Sequence, residues 1–303
     1  MENKTTEIVI IGSGPAGLSA ALYAYRANRK LIVLDKGTPG GKINITSHIQ
    51  NWPSIKEISG PELAGMFVEQ AQALGIEVVY GDVISVAKQA DGFLVHTDEG
   101  DLIGKAVIIA SGTSERKLGI PGEAKFTGRG VSYCATCDGA FFRNQDVAVI
   151  GSTNQAAEEA LYLADIVKKV YIIDRHAELG ITPILLDRIK AKANIEVRLE
   201  SVTYQIKGDD KVESIMVRDS KEYELPVKAV FPFVGSIPNT SFIVDKQILD
   251  KNGYIIADAD MKTAVEGLFA AGDVIAKALR QIVTAASDGA IAATSATKLI
   301  RKK

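Results

Sequence analysis

Thiol and imidazole side chains are scarce in this chain: 303 residues hold two cysteines and three histidines. Two thiols cannot complete a four-ligand zinc site without histidines, and no metal site is expected. An excess of one charge is also missing. Thirty-five Lys and Arg face 37 Asp and Glu, for a net charge of −2, which argues against nucleic acid as a partner. No apolar run approaches the roughly 18 residues of a membrane helix, so no membrane association is expected. The first residues lack the basic start, apolar stretch and small-residue cleavage site of a signal peptide. These absences predict a cytoplasmic protein, where a close cysteine pair is catalytic or metal-binding rather than structural. Hydrophobic residues at 47% and charged residues at 24% exclude a disordered chain, a collagen-like fibre and a disulfide-rich mini-protein. At roughly 150 residues per domain, the length predicts two domains.

What the chain does have is an internal repeat. Residues 7–35, EIVIIGSGPAGLSAALYAYRANRKLIVLD, align with residues 146–174, DVAVIGSTNQAAEEALYLADIVKKVYIID, at an offset of 139 residues. Each copy has a β-branched apolar run, a Gly-containing turn, an Ala- and Leu-rich helix, and a second apolar run. Each ends in an acid, Asp35 or Asp174, 23 positions after its first glycine. This is a βαβ unit, and two copies predict an α/β chain of two Rossmann-like, three-layer dinucleotide-binding domains.

The first copy carries the whole fingerprint, Gly12-x-Gly14-x-x-Gly17. Gly12 permits the tight turn, Gly14 lets the backbone approach a pyrophosphate, and Gly17 lets helix and strand pack closely. Pro15-Ala16 opens the helix, where a missing N–H costs nothing and the helix start favours phosphate. Asp35 is placed to accept a ribose hydroxyl. The second copy keeps Gly151, but Thr153 replaces the second glycine and Asn154 follows it. A side chain at 153 crowds a pyrophosphate. The second copy therefore reads either as a nucleotide loop or as a βαβ unit kept for packing with weakened binding.

Between the repeats, an amphipathic helix is expected over 62–74 and strands over 77–80, 82–87 and 93–96, with Asp91-Gly92 as a hairpin turn. Val107–Ala110 reads as a buried strand leading into Ser111-Gly112-Thr113. Gly119–Gly122 reads as a linker, with the second domain running on to about 242. A small-residue helix is expected from Gln281 to Ile300, with Arg301-Lys302-Lys303 as its solvated end.

Both cysteines lie in Cys134-Ala-Thr-Cys137. Two intervening residues let the sulfurs meet on one turn, where a thiolate can be stabilised and a disulfide cycled. Half of a metal knuckle or two buried thiols are the alternatives. The first lacks a second cysteine pair, and the second does not predict the polar, glycine-flanked setting. Asp138 follows directly and can shuttle a proton. Two dinucleotide folds and one dithiol add up to a flavin-linked disulfide reductase.

Cys134-Ala-Thr-Cys137-Asp138-Gly139 resembles the active-site motif of the low-molecular-weight thioredoxin reductases. So do Gly12–Gly17, Gly40-Gly41, Asn51-Trp52-Pro53, Ala110–Thr113, Gly235–Asn239, Ala271–Asp273 and Arg280-Gln281, in family order over essentially the whole chain. The resemblance implies FAD held by residues 1–115 and 243–303, a nicotinamide and dithiol domain inserted at 116–242, and a homodimer. It implies hinge strands at 113–118 and 241–246. FAD contacts are implied at Gly12, Gly14, Pro15, Ala16, Asp35, Gly41, Lys42 and Asn51. Further FAD contacts are implied at Val83, Ala110, Gly112, Gly272, Asp273, Arg280 and Gln281. Gly151, Thr153, Asn154, Asp174 and Arg175 are the implied nicotinamide contacts. Cys137 matches the cysteine nearer the flavin, Cys134 the one that attacks the thioredoxin disulfide, and Asp138 the proton donor.

Departures from the family bear on the electron donor. NADPH-using members carry His-Arg-Arg and a further Arg where this chain has Asp174-Arg175-His176 and Gly180. An acid at 174 accepts a ribose 2′-hydroxyl and repels a 2′-phosphate, which favours NADH over NADPH. Thr153 adds the alternative of ferredoxin or a deazaflavin as donor. A dithiol oxidase acting on a small molecule and a non-catalytic flavin sensor are further alternatives. Lys42 stands where the family usually has Gln; it either stabilises reduced, anionic flavin or points to solvent.

Overall fold

A computed structural model describes residues 4–46 and 48–302; Lys303, the last of the expected solvated end, lies outside them. The first segment carries β1 (Lys4–Ile11), α1 (Pro15–Arg26), β2 (Leu31–Asp35), α2 (Gly60–Ala73), β3 (Val78–Tyr80), β4 (Val83–Gln89), β5 (Gly92–Thr97), β6 (Gly100–Ile109) and β7 (Thr113–Glu115). Then come α3 (Glu123–Phe126), α4 (Ala135–Asp138), β8 (Asp146–Ile150), α5 (Asn154–Ala164), β9 (Lys169–Ile173), α6 (Pro183–Ala191) and β10 (Ile195–Arg198). The chain continues through β11 (Val202–Lys207), β12 (Ser214–Arg218), β13 (Glu222–Pro226), β14 (Ala229–Pro232), β15 (Ser236–Pro238), β16 (Leu268–Ala270) and α7 (Ile282–Lys302). Among the described residues no helix is long and apolar enough to cross a membrane.

Contacts divide the chain into two units. One comprises Met1–Asn44, Ile49–Ser114 and Ile237–Lys303; the other comprises Ile45–His48 and Glu115–Ser236. The chain thus leaves the first unit after Ser114 and returns at Ile237, six residues before the 243 expected from the sequence. Residues 241–246 form no strand. The partner of β7 is β15 instead, inside the Gly235–Asn239 motif, where Asn239 N donates to Gly112 O at 3.0 Å.

The first unit is built on a seven-stranded sheet in the order β3-β2-β1-β6-β5-β4, with β16 also on β6. Strands β1, β2, β3, β6 and β16 run parallel, while β4, β5 and the first half of β6 form an antiparallel meander. Ile8, Val9 and Ile10 are completely buried, as an unbroken apolar run in a doubly covered strand must be. Helix α7 packs on α1 through small residues, and a Cβ added at Gly289 would lie 2.0 Å from Ala16 O. That approach is why the last helix is rich in Ala and Gly. Helix α2 begins two residues before the expected 62, because Ser59 and Glu62 form a capping box.

The second unit has a parallel sheet in the order β10-β9-β8-β14 and a separate antiparallel sheet β11-β12-β13. The short β11–β13 meander was not anticipated from the sequence. Its apolar positions, Ile206, Ile215, Val217 and Leu225, are split among short segments and join one core with Val230.

Candidate functional site

The two halves of the sequence repeat fold alike at their first glycines. Gly12 has φ +105°, and a Cβ there would lie 2.3 Å from Ala110 O on the neighbouring strand end. Gly151 has φ +131°, and a Cβ there would lie 2.3 Å from Phe233 O. Each turn needs both the left-handed backbone and the missing side chain.

In the first unit the strand ends bring together residues far apart in sequence. Ala110 N donates to Ile11 O at 2.7 Å and Ala271 N to Ile109 O at 2.9 Å, so Gly12, Ala110 and Gly272 follow adjacent parallel strands. Carboxyl ends of parallel strands are where ligands of such sheets bind. Gly14 is the N-cap of α1, with no side-chain cap, and its ideal Cβ meets nothing nearer than 4.0 Å. Gly112 has φ +62° and open space around it. Asp35 holds the loop itself: Oδ2 accepts the Ser13 amide and hydroxyl, each at 2.6 Å, and Oδ1 accepts Gly37 N at 2.8 Å. Val83 is buried in the same core, two residues after Gly81, whose amide donates to Asp35 O.

Gly41 and Lys42 open a 3₁₀ turn, and Gly40 N donates to Ser13 O at 2.9 Å. Asn51 Nδ2 donates to Gln281 Oε1 at 2.9 Å. Arg280 donates to Asp273 O and Ile275 O, and its guanidinium lies 4.0 Å from the Tyr254 ring centre. Asp273 Oδ1 is buried with no protein hydrogen-bond partner. Burial pushes the Asp273 carboxyl above the usual carboxylate range, opposed by the charges of Lys277, Lys42 and Arg280. Lys42 is half-buried, and its charge favours the ionised form of Asp273.

In the second unit, Cys134 and Cys137 are joined as a disulfide with Cα atoms 5.3 Å apart. They span the single turn α4, which Cys134 caps: its Sγ accepts Cys137 N at 3.1 Å. Ser132 Oγ accepts Cys134 N at 3.1 Å and donates to Cys134 O at 3.2 Å. Cys137 is exposed and Cys134 half-buried. A Cβ at Gly139 would lie 2.9 Å from Leu163 Cδ2, so the turn packs closely on α5 and a side chain there would have to displace the leucine. Asp138 is half-buried on the same turn.

Sequence reasoning missed a buried acid that bonds the side chain of Tyr133, the residue before Cys134. Glu123 accepts Leu118 N at 2.8 Å, Gly119 N at 2.7 Å and the Tyr133 hydroxyl at 2.6 Å. Burial, and then Glu123, hold the Tyr133 phenol well above its ordinary value. An acid directly after Pro121-Gly122 was the available signal.

The second nucleotide loop is occupied by its own side chains. Thr153 is the N-cap of α5, and its Oγ1 accepts Ala156 N at 3.2 Å. Asn154 Oδ1 accepts Thr182 N at 2.9 Å. Asp174, 8% exposed at the end of β9, accepts His176 N at 2.8 Å and pairs with His176 Nδ1 at 2.5 Å. Arg175 is exposed. A Cβ at Gly180 would lie 3.4 Å from Ser152 O, so that position borders the loop.

Two dinucleotide-type sheets and a dithiol on one turn define a nucleotide-linked disulfide oxidoreductase. The chain belongs to the family described as pyridine nucleotide-disulphide oxidoreductase, whose profile matches residues 6–289, and groups there with the low-molecular-weight thioredoxin reductases. It is 41% identical to the thioredoxin reductase of Treponema pallidum (strain Nichols), over 97% of both chains. It superposes on the thioredoxin reductase of Lactococcus lactis with a TM-score of 0.96 at 42% identity, over 98% of this chain and all of that one. A ferredoxin-flavin thioredoxin reductase from Clostridium acetobutylicum is also similar, at 34% identity over 99% and 98% of the two chains, with a TM-score of 0.56.

Proposed function

We propose that this chain passes two electrons from NADH, through FAD, to the Cys134–Cys137 disulfide and on to a thioredoxin or thioredoxin-like protein. The observation that carries the reading is the disulfide itself, on one turn of a unit that also holds the second nucleotide-type loop.

Gly12, Gly14, Pro15 and Ala16 would face the pyrophosphate of FAD, with Asp35, Gly41 and Val83 toward its nucleoside half. Lys42, Asn51, Ala110, Gly112, Gly272, Asp273, Arg280 and Gln281 would take the flavin half. The fit rests on the uncapped start of α1, the space around Gly14 and Gly112, and the unpartnered buried Asp273 Oδ1. An acceptor in that state suits a hydroxyl donor. When bound, FAD supplies two-electron transfer between a hydride donor and a disulfide.

The chain's own part is thiol chemistry. Two electrons and the accompanying proton open the Cys134–Cys137 bond to a thiolate and a thiol, with Asp138 placed to hold the proton. Cys134 then attacks the thioredoxin disulfide and forms a mixed disulfide. Cys137 attacks Cys134 of that bond, releases reduced thioredoxin and restores the starting disulfide. The Cys137 amide, already directed at Cys134 Sγ, stabilises the thiolate there.

Asp174 supports NADH. A buried carboxylate at the end of β9 suits a ribose hydroxyl and repels a 2′-phosphate, and Gly180 puts no cation beside the loop. A homodimer in the cytoplasm completes the reading. Anaerobic titration with NADH and NADPH in parallel tests it: NADH should bleach the flavin at lower concentration. If neither coenzyme bleaches it, the donor assignment fails.

Thr153 supports a second reading. Its hydroxyl takes an amide that a phosphate would otherwise use. Ferredoxin or a deazaflavin would then replace the nicotinamide, and reduction by a low-potential donor but not by NADH would select this reading.

A further inference from the structure

Helix α7 contains one acid, Asp288, and residues 282–297 around it are otherwise small, apolar or hydroxyl-bearing. It is buried. Its Oδ2 lies 2.5 Å from Lys277 Nζ, and the two side chains are only 12% and 14% exposed. The same Oδ2 accepts the amide of Gly272 at 3.1 Å. Lys277 Nζ also reaches Thr284 Oγ1 at 3.4 Å, and that hydroxyl accepts Gln281 N. One ion pair thus ties the turn after β16, the loop before α7 and α7 itself.

Stability does not explain such a pair. Taking two charges out of water costs several kcal/mol, and an apolar pair of similar volume is often as stable. What it holds is more informative. Gly272 has φ +82°, and a Cβ there would lie 2.8 Å from Ala16 Cβ, so its peptide is pressed against the start of α1. The next residue is Asp273, whose Oδ1 is buried and unpartnered. Lys277 draws the Asp273 carboxyl toward ionisation and Asp288 opposes it, so the pair acts on that acid with two charges of opposite sign.

We propose that Lys277 and Asp288 are positioning residues of the flavin site: the pair locks the Gly272 peptide, and with it Asp273, while its two charges cancel toward the flavin. This rests on the reading that the first unit binds FAD beside Asp273.

Three substitutions separate charge from packing. D288N keeps an oxygen for Gly272 N but leaves Lys277 uncompensated, so the flavin midpoint potential should rise, because a nearby cation favours the reduced anion. K277M leaves Asp288 uncompensated, so the potential should fall and the dissociation constant of FAD from the apoprotein should rise about tenfold, the equivalent of about 1.4 kcal/mol. The double variant K277M/D288N should return the potential toward the parent value. D288A, which also releases Gly272, should lose FAD more readily than D288N.

Midpoint potentials by dye equilibration and FAD affinity by flavin fluorescence read these outcomes. Shifts of one sign in D288N and K277M, or unmoved potentials with flavin retained, overturn the proposal. A parent protein that takes up no FAD overturns the flavin reading itself. Should K277M not fold, D288N against the double variant carries the same comparison, because only cancellation of charge brings the potential back.

Discussion

Thr153 Oγ1 accepts the amide of Ala156 at 3.2 Å, whereas Gly14, its counterpart 139 residues earlier, caps its helix with no side chain. The same βαβ unit therefore presents an open helix start once and a self-capped one once. Replacing a Thr N-cap by Gly costs only a few tenths of a kcal/mol, since the helix end can be solvated instead. T153G should lower KM for NADH several-fold with kcat nearly unchanged. Steady-state kinetics check this, and an unchanged KM would show that the α5 start does not meet the coenzyme.

Coenzyme choice should follow charge at positions 174 and 180. A charge-assisted hydrogen bond is worth about 1.5–3 kcal/mol, or roughly tenfold or more in binding. G180R should raise kcat/KM for NADPH by about tenfold and leave NADH nearly unchanged. D174S should weaken NADH and move the preference further. The ratio of the two kcat/KM values is the readout.

The cysteines should behave asymmetrically. With C137S, Cys134 has no resolving partner, so its mixed disulfide with thioredoxin should accumulate. With C134S it should not. Intact-mass measurement under non-reducing conditions separates the two. Equal trapping by both variants would remove the assigned order of attack.

Tyr133 gives a pH signature. Burial first, and then Glu123, raise its pKa above the ordinary 10.0, so the folded state holds the phenolic proton more tightly than the unfolded chain does. That contribution is complete below about pH 10 and is lost as pH climbs toward the folded value. Y133F should be less stable than the parent by about 1.5 kcal/mol at pH 7, for the lost bond to a carboxylate. The gap should close above pH 10. Urea unfolding at several pH values measures it.

Much of this was readable in the chain because it depends on neighbours in sequence. Periodicity and the glycine spacing identified both βαβ units, and structure extended the repeat to the carbonyls of Ala110 and Phe233 beneath the two first glycines. The hairpin at Asp91-Gly92 and the final helix were legible for the same reason. The return crossing was not: Ser236–Pro238 pairs with Thr113–Glu115, and no local pattern marks which segment a short strand will join.

The two cysteines, the acid and the glycine lie in one run, Cys134–Gly139, so the sequence alone determined the type of chemistry. Only tertiary structure decided which distant side chains meet within each unit. Glu123 meets Tyr133 ten residues on, Asn51 meets Gln281, and Asp288 reaches Gly272 with Lys277 as its counter-charge. Such contacts arise from side chains on different elements, and a buried polar group must find a partner wherever packing delivers one. That requirement, rather than any spacing along the chain, selected Lys277 and Asp288.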